Sequence, residues 1–320
     1  MLHRLTTKLS VWRFNRMCRH VVETPPLLTN QAPLLFVSMV CHKDLHGYLL
    51  AIKSIYRYVE EGRILIINDG SLTDSDISLL RVHADDPTII HIDTIDTDSC
   101  PKGGAWERLM LIAELAAHNY IIQVDSDLLA ISSIPEVIDA YRRNSAFTQS
   151  GSLDSALVSL EQAASYAETQ AGQHLQTLSE RALRAIKPPF GQRYTRGSAG
   201  FAGFPCGADL RPLVQAFSAE MVKLLGLEKW SKWGSEQVAS NYIIANCSET
   251  MLLDARRYSM HWEGRTNDPA SLIHFVGMFR HRFGTYLRHG NQVIAELRSA
   301  LVTGLPARRV LRFNLPKGDS

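Results

Sequence analysis

The sequence predicts an α/β protein built on a doubly wound, mostly parallel sheet, and three observations carry that expectation. Short, β-branched apolar runs alternate with stretches whose apolar residues recur at helical spacing. Their order is strand, helix, strand, helix, which requires crossover connections and hence parallel neighbours. Two runs end in acids: Arg63-Ile64-Leu65-Ile66-Ile67 meets Asn68-Asp69-Gly70-Ser71, and Tyr120-Ile121-Ile122-Gln123-Val124 meets Asp125-Ser126-Asp127. In such sheets ligands gather at the carboxyl ends of the strands, where these acids fall.

Each element has its own signal. Pro33 to Val40 is a continuous apolar run, as expected of a strand buried on both faces. Leu49, Ile52, Ile55, Tyr56 and Val59 mark one face of a helix. Asp74 to Val82 is a short helix with Ser71 or Thr73 as its cap, and Thr88 to Ile92 a third strand. Trp106 to His118 is a helix that leads into the strand Tyr120 to Val124. Asp154 to Ile186, rich in Ala, Leu, Gln and Glu, reads as helical, and Pro188-Pro189 stops it. The glycine-dense stretch Arg196 to Pro205 reads either as a hairpin or as backbone that approaches a ligand closely. Gly234-Ser235-Glu236-Gln237 opens a helix through Ile244, with ordinary helix-start chemistry at Ser235 and Glu236.

Composition bounds the rest. With 320 residues, 45% of them hydrophobic, the chain can bury a large core as one domain with an appendage or as two. A net charge of +2 gives no overall nucleic-acid signature. The 5 cysteines are scattered without a C-x-x-C, which argues against a disulfide framework or zinc site and for a reducing cytoplasm. The first 20 residues hold Arg4, Lys8, Arg13, Arg16 and Arg19, no acid, and Leu2, Leu5, Leu9, Val11, Trp12 and Phe14 between them. No apolar run there is long enough for a signal peptide or a membrane span. Two readings stand: a frayed, solvated end, or a basic amphipathic helix on the inner face of an anionic membrane. Ala307 to Asn314 repeats the basic-apolar mixture.

The chemistry-bearing residues follow from spacing. Alternate residues of an extended segment point the same way, so Asp125 and Asp127 converge. Two close carboxylates repel unless a cation separates them, and hard oxygens suit Mg²⁺ or Mn²⁺. A solvated turn is the alternative. His274, in His274-Phe275-Val276-Gly277, follows the apolar Ser271-Leu272-Ile273 and is either a structural histidine or a ligand that completes an oxygen-rich site.

The order of these segments resembles the GT-A fold glycosyltransferases, the nucleotide-diphospho-sugar transferase superfamily, over about Leu34 to Gly284. The stretch Asn68-Asp69-Gly70-Ser71-Leu72-Thr73-Asp74 looks like the D-D-G-S-x-D turn of the large inverting bacterial family, with Asn68 for the first Asp. Asp125-Ser126-Asp127 matches the superfamily's D-x-D. Three later pieces are similar to the glycogenin-like retaining family. These are Glu236-Gln237 for its D-Q helix start, Ala199-Gly200-Phe201 for its N-x-G loop without the Asn, and His274-Phe275-Val276-Gly277 for its H-x-x-G ligand. The family's usual following Lys is replaced by Phe279-Arg280. Retaining and inverting outcomes both stay open.

The resemblance implies a Rossmann-like GT-A enzyme with a helical insertion and basic terminal extensions. It divides the chain into a basic N-terminal extension (1–32), a catalytic domain (33–290) and a basic C-terminal tail (291–320). The domain comprises a nucleotide-binding half (33–135) and an acceptor half (136–290) with an insertion at about 150–190. Asp125, Asp127 and His274 are expected to hold Mn²⁺ or Mg²⁺. Val40, Asp69, Trp106, Arg108, Asp125, Ser126 and Gly200 are expected to line the nucleotide-diphospho-sugar, with a UDP-sugar the expected donor. Arg280, Arg282 and Lys102 are candidate phosphate cations. Glu236 is the nominee for acceptor base or its retaining counterpart, with Gln237 beside it, and Phe201, Phe204 or Trp233 for a sugar platform. The acceptor is a sugar, lipid or protein, and membrane contact, if any, is peripheral. A sugar-nucleotide nucleotidylyltransferase and a non-catalytic sugar-binding relative are the alternatives. The first is disfavoured because Ser38 to Asp44 lacks a glycine-rich loop.

Overall fold

The computed structural model describes residues 2–152, 155–187, 191–262 and 269–299. The chain opens with helix α1 (Leu2–Cys18). It continues through β1 (Leu34–Val40), α2 (Leu45–Val59), β2 (Arg63–Asn68), α3 (Asp74–His83), β3 (Thr88–His91), α4 (Trp106–Leu115) and β4 (Tyr120–Val124). Then come β5 (Leu128–Ala130), α5 (Pro135–Arg142), β6 (Ala146–Ser150), β7 (Val158–Ser159), α6 (Leu160–Thr169), α7 (Leu175–Ala182), β8 (Arg193–Tyr194) and β9 (Gly197–Phe204). The remainder is α8 (Arg211–Leu225), α9 (Leu227–Trp230), α10 (Ser235–Ala245), β10 (Thr250–Leu253), β11 (Tyr258–Met260), β12 (Leu272–His274) and α11 (Thr285–Ser299).

Among the described residues seven strands form the main sheet, in the order β10-β6-β9-β4-β1-β2-β3. All neighbours are parallel except β9, which runs antiparallel to both β4 and β6. Successive strand residues feed opposite faces, and so there are two cores. Phe36, Ile64, Ile66, Ile122 and Val124 join α1, α2 and α11 on one side. Leu35, Val37, Leu65, Ile67 and Ile121 join α4, α8 and α10 on the other. That division explains the unbroken apolar runs of β1, β2 and β4. Thr73 caps α3 as expected, its hydroxyl accepting from the Asp76 amide.

Two expectations about the sheet and its insertion need correction. The glycine-dense stretch is no hairpin but β9, at the middle of the sheet. Its glycines make room across the ladder. A Cβ at Gly203 would overlap the Phe147 ring, and one at Gly197 the Thr148 side chain. The stretch expected as one helix up to Ile186 is α6 and α7, preceded by β7, which pairs with β8. Pro188-Pro189 lies outside the described residues.

The amino-terminal helix is no frayed end over its second half. Phe14, Met17, Cys18 and Val21 are buried in the first core. The Phe14 ring packs 4.1 Å from Tyr286, and Gly290 of α11 admits the Met17 methyl where a Cβ would collide with it. The following segment is tied down by Lys53, which is fully buried and donates to Thr24 Oγ1 (2.9 Å) and the Pro25 carbonyl (2.7 Å). Residues 291–299 likewise belong to α11, whose Val293 and Ile294 are buried, so a free tail does not begin at 291. Residues 300–320, with the Ala307 to Asn314 stretch, lie outside the described residues. No helix among the described residues is long and apolar enough to cross a membrane.

Candidate functional site

Strand register assembles the site. β4 ends at Val124, and the Asp125 amide donates to the Gly200 carbonyl of β9 (2.9 Å). The chain then turns into β5, which pairs antiparallel with β12 so that His274 stands opposite Leu128. The Phe275 amide donates to the Asp127 carbonyl (2.9 Å), closing the junction. One ligand atom each from Asp125, Asp127 and His274 lie within 4.8 Å of one another.

The donor set fits a divalent ion. Two carboxylates and one imidazole suit Mn²⁺ or Mg²⁺. His274 Nδ1 faces Gln149 Oε1 (3.1 Å) and Ser198 Oγ (3.3 Å), which orients the ring so that Nε2 faces Asp127 Oδ1 at 3.1 Å. A partner on the far nitrogen is the usual support of a metal-ligating histidine. Asp127 Oδ2 accepts from Arg280 (2.6 Å), which also pairs with Asp44 (3.0 Å). Burial alone would raise the Asp127 pKa, but His274 and Arg280 outweigh it and hold the carboxyl well below its ordinary range. Burial opposes the charge on His274, yet Asp127 carries its pKa upward. Asp127 thus lies between the His274 ring and the Arg280 guanidinium.

Gly200 is the cradle of this cluster. A Cβ there would overlap the His274 ring, at 2.9 Å from Nε2, and stand 3.0 Å from Asp125 Oδ2. Gly200→Ala is therefore expected to displace the ring and lower metal affinity and turnover by about 100-fold. Calorimetric titration of Mn²⁺ checks this, with wild-type affinity as the contrary result.

A second cluster adjoins the first through Arg108. This buried guanidinium hydrogen-bonds Asp125 Oδ1 and reaches Glu236 Oε1 at 3.5 Å. Glu236 sits in the first turn of α10 and is 4% exposed. Burial, offset in part by Arg108 and reinforced by Asp125, pushes its pKa up to about 7. A carboxylate poised near neutrality is suited to accepting a proton.

Asp69 stands exposed at the carboxyl end of β2, one position past the Val40–Asn68 pairing, and its amide donates to the Val40 carbonyl (3.3 Å). Its carboxylate accepts from Ser71 N (3.0 Å) and Oγ (2.6 Å). The sheet order β4-β1-β2 puts Asp125 and Asp69 on either side of Val40. Ser126, half-buried, lies between Asp125 and Asp127 and turns its backbone carbonyl toward Gly47 and Tyr286.

Four nominees fall elsewhere. Trp106 is fully buried; its indole donates to Ser235 Oγ (2.8 Å) and its ring meets Trp230 edge-on, so it braces the start of α10 rather than lining a ligand. Phe201 and Phe204 are fully buried by their central strand and offer no platform. Trp233, by contrast, is 77% exposed two residues before Ser235. Gln237 is half-buried and donates to Gln176 Oε1 of α7 (3.3 Å). Sequence reasoning missed Gln149, Ser198 and Asp44. Gln149 lies on β6, whose sequence Ala146-Phe147-Thr148-Gln149-Ser150 alternates too weakly to be read as a buried strand.

No family model matches the chain, and no curated protein matches it by sequence. Solved structures do match. The galactosyltransferase LgtC, in complex with donor and acceptor sugar analogs, superposes with a TM-score of 0.52 at 14% identity, over 86% of this chain and 98% of that one. An active-site mutant of LgtC gives 0.50 at 12%, over 86% and 98%. The glycosyltransferase GlyE of Streptococcus pneumoniae TIGR4 gives 0.50 at 12%, over 85% of this chain and 64% of that one. The chain therefore has the GT-A fold of these glycosyltransferases.

Proposed function

We propose that this chain is a metal-dependent glycosyltransferase that moves a sugar from a nucleotide-diphospho-sugar to an acceptor hydroxyl. The observation that carries the reading is the convergence of Asp125, Asp127 and His274 at the end of β4, next to the buried Arg108–Glu236 pair. Fold alone fixes no chemistry, and the site bears the argument.

Asp125, Asp127 and His274 would hold Mn²⁺ or Mg²⁺. When bound, such an ion supplies Lewis-acid neutralisation of the leaving diphosphate. Arg280, already at the rim on Asp127 and Asp44, is the nearby cation for phosphate oxygens. The nucleoside would cross the end of β1 toward Asp69, passing Val40, with Gly200 beneath the sugar phosphate. Arg108 fixes Asp125 and keeps Glu236 in place through one guanidinium. Glu236 would face the reacting sugar and take the acceptor proton, or stand as its counterpart in a retaining reaction. The exposed Trp233 ring is the remaining platform for a sugar's apolar face.

A hydrolysis screen of UDP-, GDP- and dTDP-sugars with and without Mn²⁺ tests the reading. One donor, with a UDP-sugar the first choice, is expected to release its nucleoside diphosphate slowly and only with the metal. Metal-independent release, or no release and no binding of any of the three, would contradict it.

A further inference from the structure

We propose that the outward face of α1, together with the Phe279 to Phe283 turn beside it, docks on an anionic lipid bilayer. The helix buries Phe14, Met17 and Cys18 on one side. On the other side Leu9 is 47% and Trp12 57% exposed, although both are large apolar groups. Lys8, Arg13, Arg16 and Arg19 are exposed around them, and the Arg16 guanidinium lies over the Trp12 ring at 5.6 Å. No acid occurs before Glu23. Glu23 is itself engaged by His20 (2.7 Å) and Arg298. The face is therefore a cationic field around an indole and a leucine.

A second patch of the same kind adjoins it. Phe283 is 68% and Trp262 39% exposed, Trp262 meets Phe279 at 5.8 Å, and Arg282 lies over Phe279 at 5.0 Å. Beneath the surface the Phe14 ring, on the buried side of α1, packs 4.9 Å from His281 and ties the helix to that turn. A polyanion read through its charge alone, such as the phosphate backbone of a duplex, would use the cations and leave Leu9 and the exposed rings wet. A bilayer with acidic lipids uses both, since cations meet the headgroups while Trp and Leu enter the boundary with the acyl chains.

This surface stands independently of the transferase reading. One consequence rests on that reading: His281 adjoins Arg280, which bonds Asp127, so docking would bring the candidate site toward the headgroups and favour a lipid-borne acceptor.

Flotation of the full chain with vesicles tests the surface without any assay of activity. The protein is expected to float with phosphatidylcholine vesicles containing phosphatidylglycerol and not with phosphatidylcholine alone. Two double variants, Leu9→Ser with Trp12→Ser and Arg13→Glu with Arg16→Glu, should each lower partitioning by about tenfold or more while leaving the thermal melt in place. Three results would overturn the proposal: wild type that does not float with the anionic vesicles, folded variants that float as well as wild type, or binding to dextran sulfate that survives loss of Leu9 and Trp12 while vesicle binding also survives.

Discussion

Asp127→Asn is expected to abolish transfer, lowering kcat/KM by about three orders of magnitude, because it removes a negative ligand at the point where leaving-group charge must be met. The sequence leaves a solvated turn as the alternative reading of Asp125-Ser126-Asp127, which would put Asp127 in water. The structure corrects this: Asp127 is 7% exposed and joins His274 to Arg280. The variant should therefore also lose about 1–3 kcal/mol of stability, measured by denaturant unfolding without metal. The pH dependence has a definite sign. The Asp127 carboxyl is held below its ordinary value, so its contribution is present at neutral pH and is lost as pH falls through the folded pKa. The His274 pKa is raised, so its contribution is present below the ordinary histidine value and is lost as pH rises through the folded one. The stability gap between wild type and variant should be wider at pH 5–6 than at pH 9. A variant with near-normal turnover would remove Asp127 from the metal site.

Glu236→Gln is the second large effect. Turnover should fall by about two to four orders of magnitude with little change in donor affinity, the pattern of an interaction made mainly in the transition state. The wild-type rate should climb with pH through an apparent pKa near 7, as the Glu236 carboxyl ionises, and the variant should lose that limb. Stability moves the other way. The folded pKa of Glu236 is raised from its ordinary 4.5 to about 7, so the folded state keeps the proton longer and loses stability as pH climbs through that interval. Glu236→Gln should flatten that slope. Near-normal turnover in the variant would leave Glu236 as a helix-start acid that merely pairs with Arg108.

The parts legible in the sequence are those whose local pattern and tertiary role agree. β1, β2 and β4 are buried on both faces, so their apolar runs could be read directly, as could the acids that follow β2 and β4. β9 could not, because its only large residues are Phe201 and Phe204 among Gly, Ala and Ser, with no β-branched residue; its place is set by Phe147, Thr148 and His274, which fill the space its glycines leave. Asp125, Asp127 and His274 could be nominated by residue type and strand-end position. The Arg108–Glu236 contact joins positions 128 residues apart, and nothing local announces it. Trp106 shows the reverse failure. An indole at a helix start can point toward a ligand or into the core, and here Ser235 and Trp230 draw it inward.

Anomalous diffraction from crystals grown with Mn²⁺ and UDP tests the central claim most directly. The account predicts one manganese peak about 2.0–2.6 Å from carboxylate oxygens of Asp125 and Asp127 and from His274 Nε2, with the diphosphate on the ion's open positions and Arg280 moved from Asp127 toward a phosphate. Manganese bound elsewhere, or UDP seated without it while Arg280 still pairs with Asp127, would contradict the account.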